Sequence, residues 1–193
     1  MNIGLARIFG MGDDRTMKST LRFLSVWVVV GSTLVACSSS GGGAEDAPLK
    51  INELMASNTQ TLADENGEFD DYIELFNPTD QDVELGGYTV SDASDNPFRY
   101  ELTNELVVPA GGVLLLWADG STAQGPAHLP FKLSRSGESA LISGPSGTLL
   151  DQVDFTNAPS DESYSRNPDG TGDWAWCATP TPGKLNGAAC GAN

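Results

Sequence analysis

The chain has one histidine, His128, and three cysteines, Cys37, Cys177 and Cys190. That inventory excludes a multi-histidine metal site and a four-cysteine zinc cluster. Carboxylates dominate instead: 26 Asp+Glu stand against ten Lys+Arg over 193 residues, a formal net charge of −16. The densest run is Asp64-Glu65-Asn66-Gly67-Glu68-Phe69-Asp70-Asp71, where six of eight positions carry side-chain oxygens. Such oxygens suit a hard cation, so Asp64, Asn66, Asp70 and Asp71 are the candidate calcium ligands. Gly67 falls fourth from Asp64, whereas an EF-hand loop needs Gly sixth, so the run is not an EF-hand. A solvated turn at Asn66-Gly67 is the ordinary explanation. Apart from this possible calcium, no cofactor is expected.

Other residues offer less. Glu53 and Glu74 lie in strand-like runs, and paired carboxylates can hydrolyse glycosides. The ordinary reading has them bonded to backbone or Tyr groups. His128 sits between Ala127 and Leu129 with no Gly-x-Ser-x-Gly elbow in the chain, so a surface-loop histidine is expected. Tyr164, Trp174 and Trp176 are candidates for stacking on sugar rings, although sandwich cores use the same residues. If 174–176 is extended, both Trp rings share one face. The acidity argues against nucleic acid as a partner, because phosphate recognition needs clustered Lys and Arg.

The N-terminal residues read as a leader. Lys18 and Arg22 precede an apolar run from Phe23 to Ala36, too short to span a bilayer comfortably. The run ends in Leu34-Val35-Ala36-Cys37, followed by Ser38-Ser39-Ser40-Gly41-Gly42-Gly43. This resembles the lipobox of bacterial lipoproteins, which implies acylation of Cys37 and cleavage before it. Residues 1–36 are then a signal peptide, with Met1 or Met17 as the start, and residues 37–47 a Gly/Ser-rich tether. Residues 1–36 hold four basic and two acidic side chains, so the remainder carries six and 24, a net charge of −18. The expected location is the cell envelope, lipid-anchored, at the outer membrane or cell surface. With Cys37 acylated, Cys177 and Cys190 remain, and outside the cytoplasm they are expected to pair.

The chain beyond residue 48 lacks any amphipathic helical period. Short runs bounded by Gly, Pro, Asn and Asp recur: 50–55, 72–77, 88–91, 98–102, 113–118, 139–143, 149–155 and 163–166. Eight short strands in this length point to an all-β sandwich or barrel. Val113-Leu114-Leu115-Leu116-Trp117 is apolar at every position, which predicts a central strand. Gly144-Pro145-Ser146-Gly147 predicts a hairpin turn. In Tyr72-Ile73-Glu74-Leu75-Phe76, Ile73 and Leu75 point one way and Tyr72, Glu74 and Phe76 the other.

Several segments, in order, resemble the bacterial lamin-tail domain. They are Lys50-Ile51-Asn52-Glu53-Leu54-Met55-Ala56-Ser57-Asn58, Asp70-Asp71-Tyr72-Ile73-Glu74-Leu75-Phe76-Asn77-Pro78-Thr79, Leu85-Gly86-Gly87-Tyr88, Val108-Pro109-Ala110-Gly111-Gly112 and Phe131-Lys132-Leu133-Ser134. Ser163-Tyr164-Ser165-Arg166 and Thr179-Pro180-Thr181-Pro182-Gly183 also fit. The resemblance implies an immunoglobulin-like β-sandwich over residues 48–186, a C-terminal tail at 187–193 and no catalytic residues. The expected job is adhesion or scaffolding: an anchored module holding a protein or glycan partner. The alternatives are a calcium-dependent carbohydrate-binding sandwich and a small hydrolase using acidic residues.

Overall fold

The computed structural model describes residues 45–187 and Cys190; the expected signal peptide, Cys37 and most of the tether lie outside the described residues. Eleven strands run β1 (Lys50–Met55), β2 (Asp71–Phe76), β3 (Val83–Glu84), β4 (Thr89–Ser91), β5 (Tyr100–Glu101), β6 (Val107–Val108), β7 (Val113–Ala118), β8 (Gly137–Ser143), β9 (Leu149–Thr156), β10 (Ser163–Asn167) and β11 (Asp173–Cys177). They form a five-stranded sheet, β11-β10-β1-β2-β7, a four-stranded sheet, β5-β4-β8-β9, and the small pair β3-β6. Every ladder between named strands is antiparallel. Of the sandwich or barrel that the spacing of the runs left open, the β-sandwich that the resemblance implied is what forms.

Period-two alternation builds the core. Ile51, Leu54, Ile73 and Leu75 point from β1 and β2 toward the second sheet, where they join Val90, Ala140, Ile142, Val153 and Phe155 in one buried cluster. Each such side chain contributes about 1.5–3 kcal/mol by leaving water. The register of β1 on β2 shifts between Ile51 and Glu53, a bulge that sets both Asn52 and Glu53 against Glu74. The two residues then share the outer face. The hairpin β8–β9 closes through the expected turn, with Gly147 N–H donating to the Gly144 carbonyl.

Three expectations need correction. Val113–Ala118 is not a central strand: it is the last strand of its sheet, and its edge is partly covered by residues 127–132 through single bridges Trp117–His128 and Asp119–Lys132. Leu116 and Ala118 are buried in the main core, and Trp117 packs with Met55 and Tyr72 on the outer face; no further strand lies beyond β7 in the sheet. Asp46 and Ala47, assigned to the tether, are docked: Ala47 N–H donates to the Tyr88 hydroxyl and Asp46 accepts from the Ser146 backbone. His128 is not on the surface; it is fully buried.

Candidate functional site

The five-stranded sheet has a second, outward face, and it is also sealed. Toward β7, Met55, Tyr72 and Trp117 form a small apolar cluster, with the Tyr72 and Trp117 rings edge to face at 6.3 Å. Toward β10 the face is polar. Glu53 and Glu74 sit opposite each other in the β1–β2 register, and neither is exposed to solvent. Buried carboxylates must find donors, and the fold supplies them. Glu53 accepts from the Tyr72 hydroxyl (2.5 Å), the Ser165 hydroxyl (3.1 Å) and both the N–H and hydroxyl of Thr181. Glu74 accepts from the Asn52 amide (3.2 Å) and the Gly183 N–H (2.7 Å). Burial, opposed by the Asn52 bond and aided by the Glu53 charge, pushes Glu74 up to about 8. Burial and the neighbouring Glu53 also push Tyr72 upward.

Two segments cover this polar face. The β10–β11 loop passes over Phe76, and Gly170 there has φ +68 with a would-be Cβ 2.6 Å from the Phe76 ring. Only glycine fits both constraints. Residues 178–187 then fold back across the face and end at Cys190, which is bonded to Cys177 at the end of β11 with Cα atoms 5.0 Å apart. The Asn186 amide donates to the Asn52 and Arg166 carbonyls, and its N–H to Asp169. Both glutamates are bonded to hydroxyl, amide and backbone groups of the fold itself.

The acidic loop at 64–71 takes a different form. Asp64 accepts the N–H groups of Asn66 and Glu68, which closes the turn and, against the effect of its own burial, lowers its pKa. Of the four candidate ligands, Asp64 and Asp70 have carboxylate oxygens within 4.8 Å of each other and of Asp119, which arrives from the end of β7. The Asn66 side chain is bonded to Asp64, and Asp71 accepts from the Asn58 N–H. Burial raises Asp71 to about 6.

His128 stands inside this cluster. Its Nδ1 lies 2.6 Å from Asp119 and its Nε2 2.9 Å from Glu65. Burial opposes protonation, but the two carboxylate bonds outweigh it and raise the imidazole, while the His128 bond lowers Glu65. An imidazolium donates from both nitrogens, so this pairing fastens the acidic loop to the β7 edge. Asp64, Glu65 and His128 also offer three ligand atoms within 4.8 Å. Sequence reasoning missed Asp119 and Glu65 as partners of His128, because 63 positions separate His128 from Glu65. No local motif encodes such a meeting.

The three candidate aromatics come together on the inner face. Tyr164 stacks on Trp174 at 5.2 Å and lies 4.8 Å from Trp176, and the Arg166 guanidinium lies over Trp174 at 4.7 Å. Arg166 is held by both Asp151 carboxylate oxygens and by the Ile51 and Gly172 carbonyls. The second sheet ends at β9, which packs across β1. The rings therefore touch the core yet remain partly exposed beyond that edge.

The family model for the Lamin Tail Domain matches residues 43–157. No curated protein matches the chain.

Proposed function

The chain belongs to the lamin tail domain family, and from that premise we propose a non-catalytic binding module, displayed at the cell envelope on a lipid anchor at Cys37. The immunoglobulin-like sandwich is the family's fold. The observation that carries the reading is the partly exposed Tyr164–Trp174–Trp176 rack, which extends past the edge strand β9 and offers ring faces to a protein or glycan partner. Glu53 and Glu74 have their carboxylates taken up by the fold's own donors, which leaves a hydrolase no free acid–base pair there. The anchor is supported by the Leu34-Val35-Ala36-Cys37 sequence and the Gly/Ser run after it.

Crosslinking on intact cells, with a glycan array beside it, tests the module. A partner or glycan captured by the native chain and lost in Trp176→Ala supports the reading, and equal capture by both rejects the rack. Mass spectrometry of the envelope form tests the anchor: an acylated N-terminal Cys37 is expected, and an intact leader with an unmodified thiol rejects it.

Calcium is the second reading, and the convergence of Asp64, Asp70 and Asp119 favours it. Calorimetric titration that gives heat with the native chain and none with Asp119→Asn supports it. No heat at millimolar calcium ends it.

A further inference from the structure

The segment over the polar face is held by polar bonds rather than by apolar burial. Within residues 178–187 only Asn186 is buried, and Leu185 is 48% exposed. The segment therefore removes little apolar surface from water. It is held by directional bonds, Thr181 to Glu53, Gly183 to Glu74 and Asn186 to Asn52, Arg166 and Asp169, and by the covalent link at Cys190.

Its bonds from Thr181 and Gly183 end on two carboxyl groups that face each other across the β1–β2 register. Glu74 faces Glu53 and Asn52 from β1, Tyr72 from its own strand, Asp169 from the β10–β11 loop, Leu115 from β7 and the Gly183 N–H from the segment itself. No cation is among these neighbours, and Lys184 of the segment points to solvent as an exposed residue.

We propose that residues 178–187 form a proton-linked lid, whose undocking from the outer face is coupled to loss of a proton from Glu74 while the sandwich stays folded. With the lid shut, a negative charge on Glu74 would lie against the Glu53 carboxyl without water. With the lid open, solvent stabilises it. The linkage has a definite sign. The closed state holds Glu74 at about 8, and the open state returns it toward the ordinary carboxyl value near 4.5. Between those values the closed state binds the extra proton, so the closed-to-open ratio falls about tenfold per pH unit and levels off above the closed-state value. The disulfide keeps the far end in place, so opening yields a tethered loop whose reclosure is intramolecular.

Amide hydrogen exchange on the full chain with its disulfide intact tests this. Protection factors, normalised for intrinsic pH dependence, are followed for Thr181 and Gly183 from pH 5 to 8, with Ile73 and Leu75 as references. The expected result is about a tenfold fall per pH unit for the lid amides, at protection far below that of the references throughout. In Glu74→Gln the lid amides should lose that slope. Lid protection that is flat in the native chain, or that equals the protection of the reference amides, overturns the proposal. So does an unchanged slope in Glu74→Gln. Should that variant fail to fold, the Glu74 carboxyl resonance of the native chain decides: a midpoint well above the ordinary carboxyl range supports the lid, and one below about 5 overturns it.

Discussion

The two faces of the β1–β2 pair are equally hidden from water and are held in opposite ways. Inward, Ile51, Leu54, Ile73 and Leu75 meet other apolar groups, and any neighbour of suitable volume satisfies them. Outward, Asn52, Glu53 and Glu74 are satisfied only by particular donors, brought from as far as residue 186. Apolar burial drives collapse but says little about which segment lies over it. A buried carboxylate accepts only an arrangement that presents N–H or O–H groups, because an unmet acceptor costs about 1–3 kcal/mol or more. The inner face thus supplies stability, and the outer face fixes where the C-terminal segment lies.

The largest expected effect belongs to the inner face. Leu75→Ala leaves a cavity in a fully buried position and should cost about 2–5 kcal/mol, read as a lower midpoint in denaturant. The paired replacement of Cys177 and Cys190 by Ser should cost about 3 kcal/mol in the chain-entropy model. The comparison adds that this loss concentrates on the outer face: hydrogen exchange should quicken at residues 181–186 more than in β2. Uniform quickening would mean the two faces are one cooperative unit. Glu53→Gln presents an NH2 group to donors that now meet oxygen, and should cost about 1–3 kcal/mol with no change in the β-sheet circular dichroism signal.

pH separates the faces more cleanly than mutation, because Ile51, Leu54, Ile73 and Leu75 have nothing to titrate. The Glu74 pKa is raised on folding, so the folded state binds more protons than the unfolded one between about 4.5 and about 8. Stability must then fall as pH rises through that window, by at most about 1.4 kcal/mol per pH unit. His128, also raised, contributes stability that is complete below 6.5 and fades as pH rises through its folded value. Asp161, lowered to about 2 by bonds from Thr59, Gln60 and Thr61 that outweigh its desolvation, works the other way and weakens the fold only in strong acid. Denaturant unfolding across pH 4.5–8 should show the falling trend, and Glu74→Gln should lessen its slope, leaving the part that His128 and Asp71 contribute. A native chain whose stability climbs from pH 5 to 8 would refute the assignment of Glu74.

How much of this was legible in the sequence follows the same division. Alternation in Tyr72-Ile73-Glu74-Leu75 marked the inner face correctly, since period two is a local property of the chain. The runs at 50–55, 139–143 and 149–155 were readable for that reason. The pairs Val83–Glu84 and Val107–Val108 were not, because two residues carry no period. Val113–Trp117 misled because uniform apolarity reports burial on both sides without saying what buries it. The partners of Glu53 and the meeting of His128 with Glu65 were unreadable, as those contacts join positions far apart, while Asp119, nine positions from His128, meets it through no local motif. The pairing of Cys177 with Cys190 was legible once Cys37 was assigned to acylation, and the structure places the two in a disulfide.

The smallest expected effect comes from an acid–base pair that belongs to neither buried face. Lys132 approaches Asp70 at 3.5 Å with its side chain 66% exposed. Water screens such a pair, and holding a long lysine side chain in one place costs rotamer entropy, so Lys132→Gln should change stability by less than about 1 kcal/mol. That difference should shrink further as salt is added. The Lys132 charge also lowers the pKa of Asp71, where burial raises it to about 6, so the variant should move that carboxyl's titration upward while barely altering the denaturant midpoint. NMR titration of Asp71 beside an unfolding curve measures both. If Lys132→Gln cost as much as Glu53→Gln, exposure would not be what distinguishes these carboxylates. The outer face would then owe its role to charge alone rather than to the directional bonds that water no longer competes for.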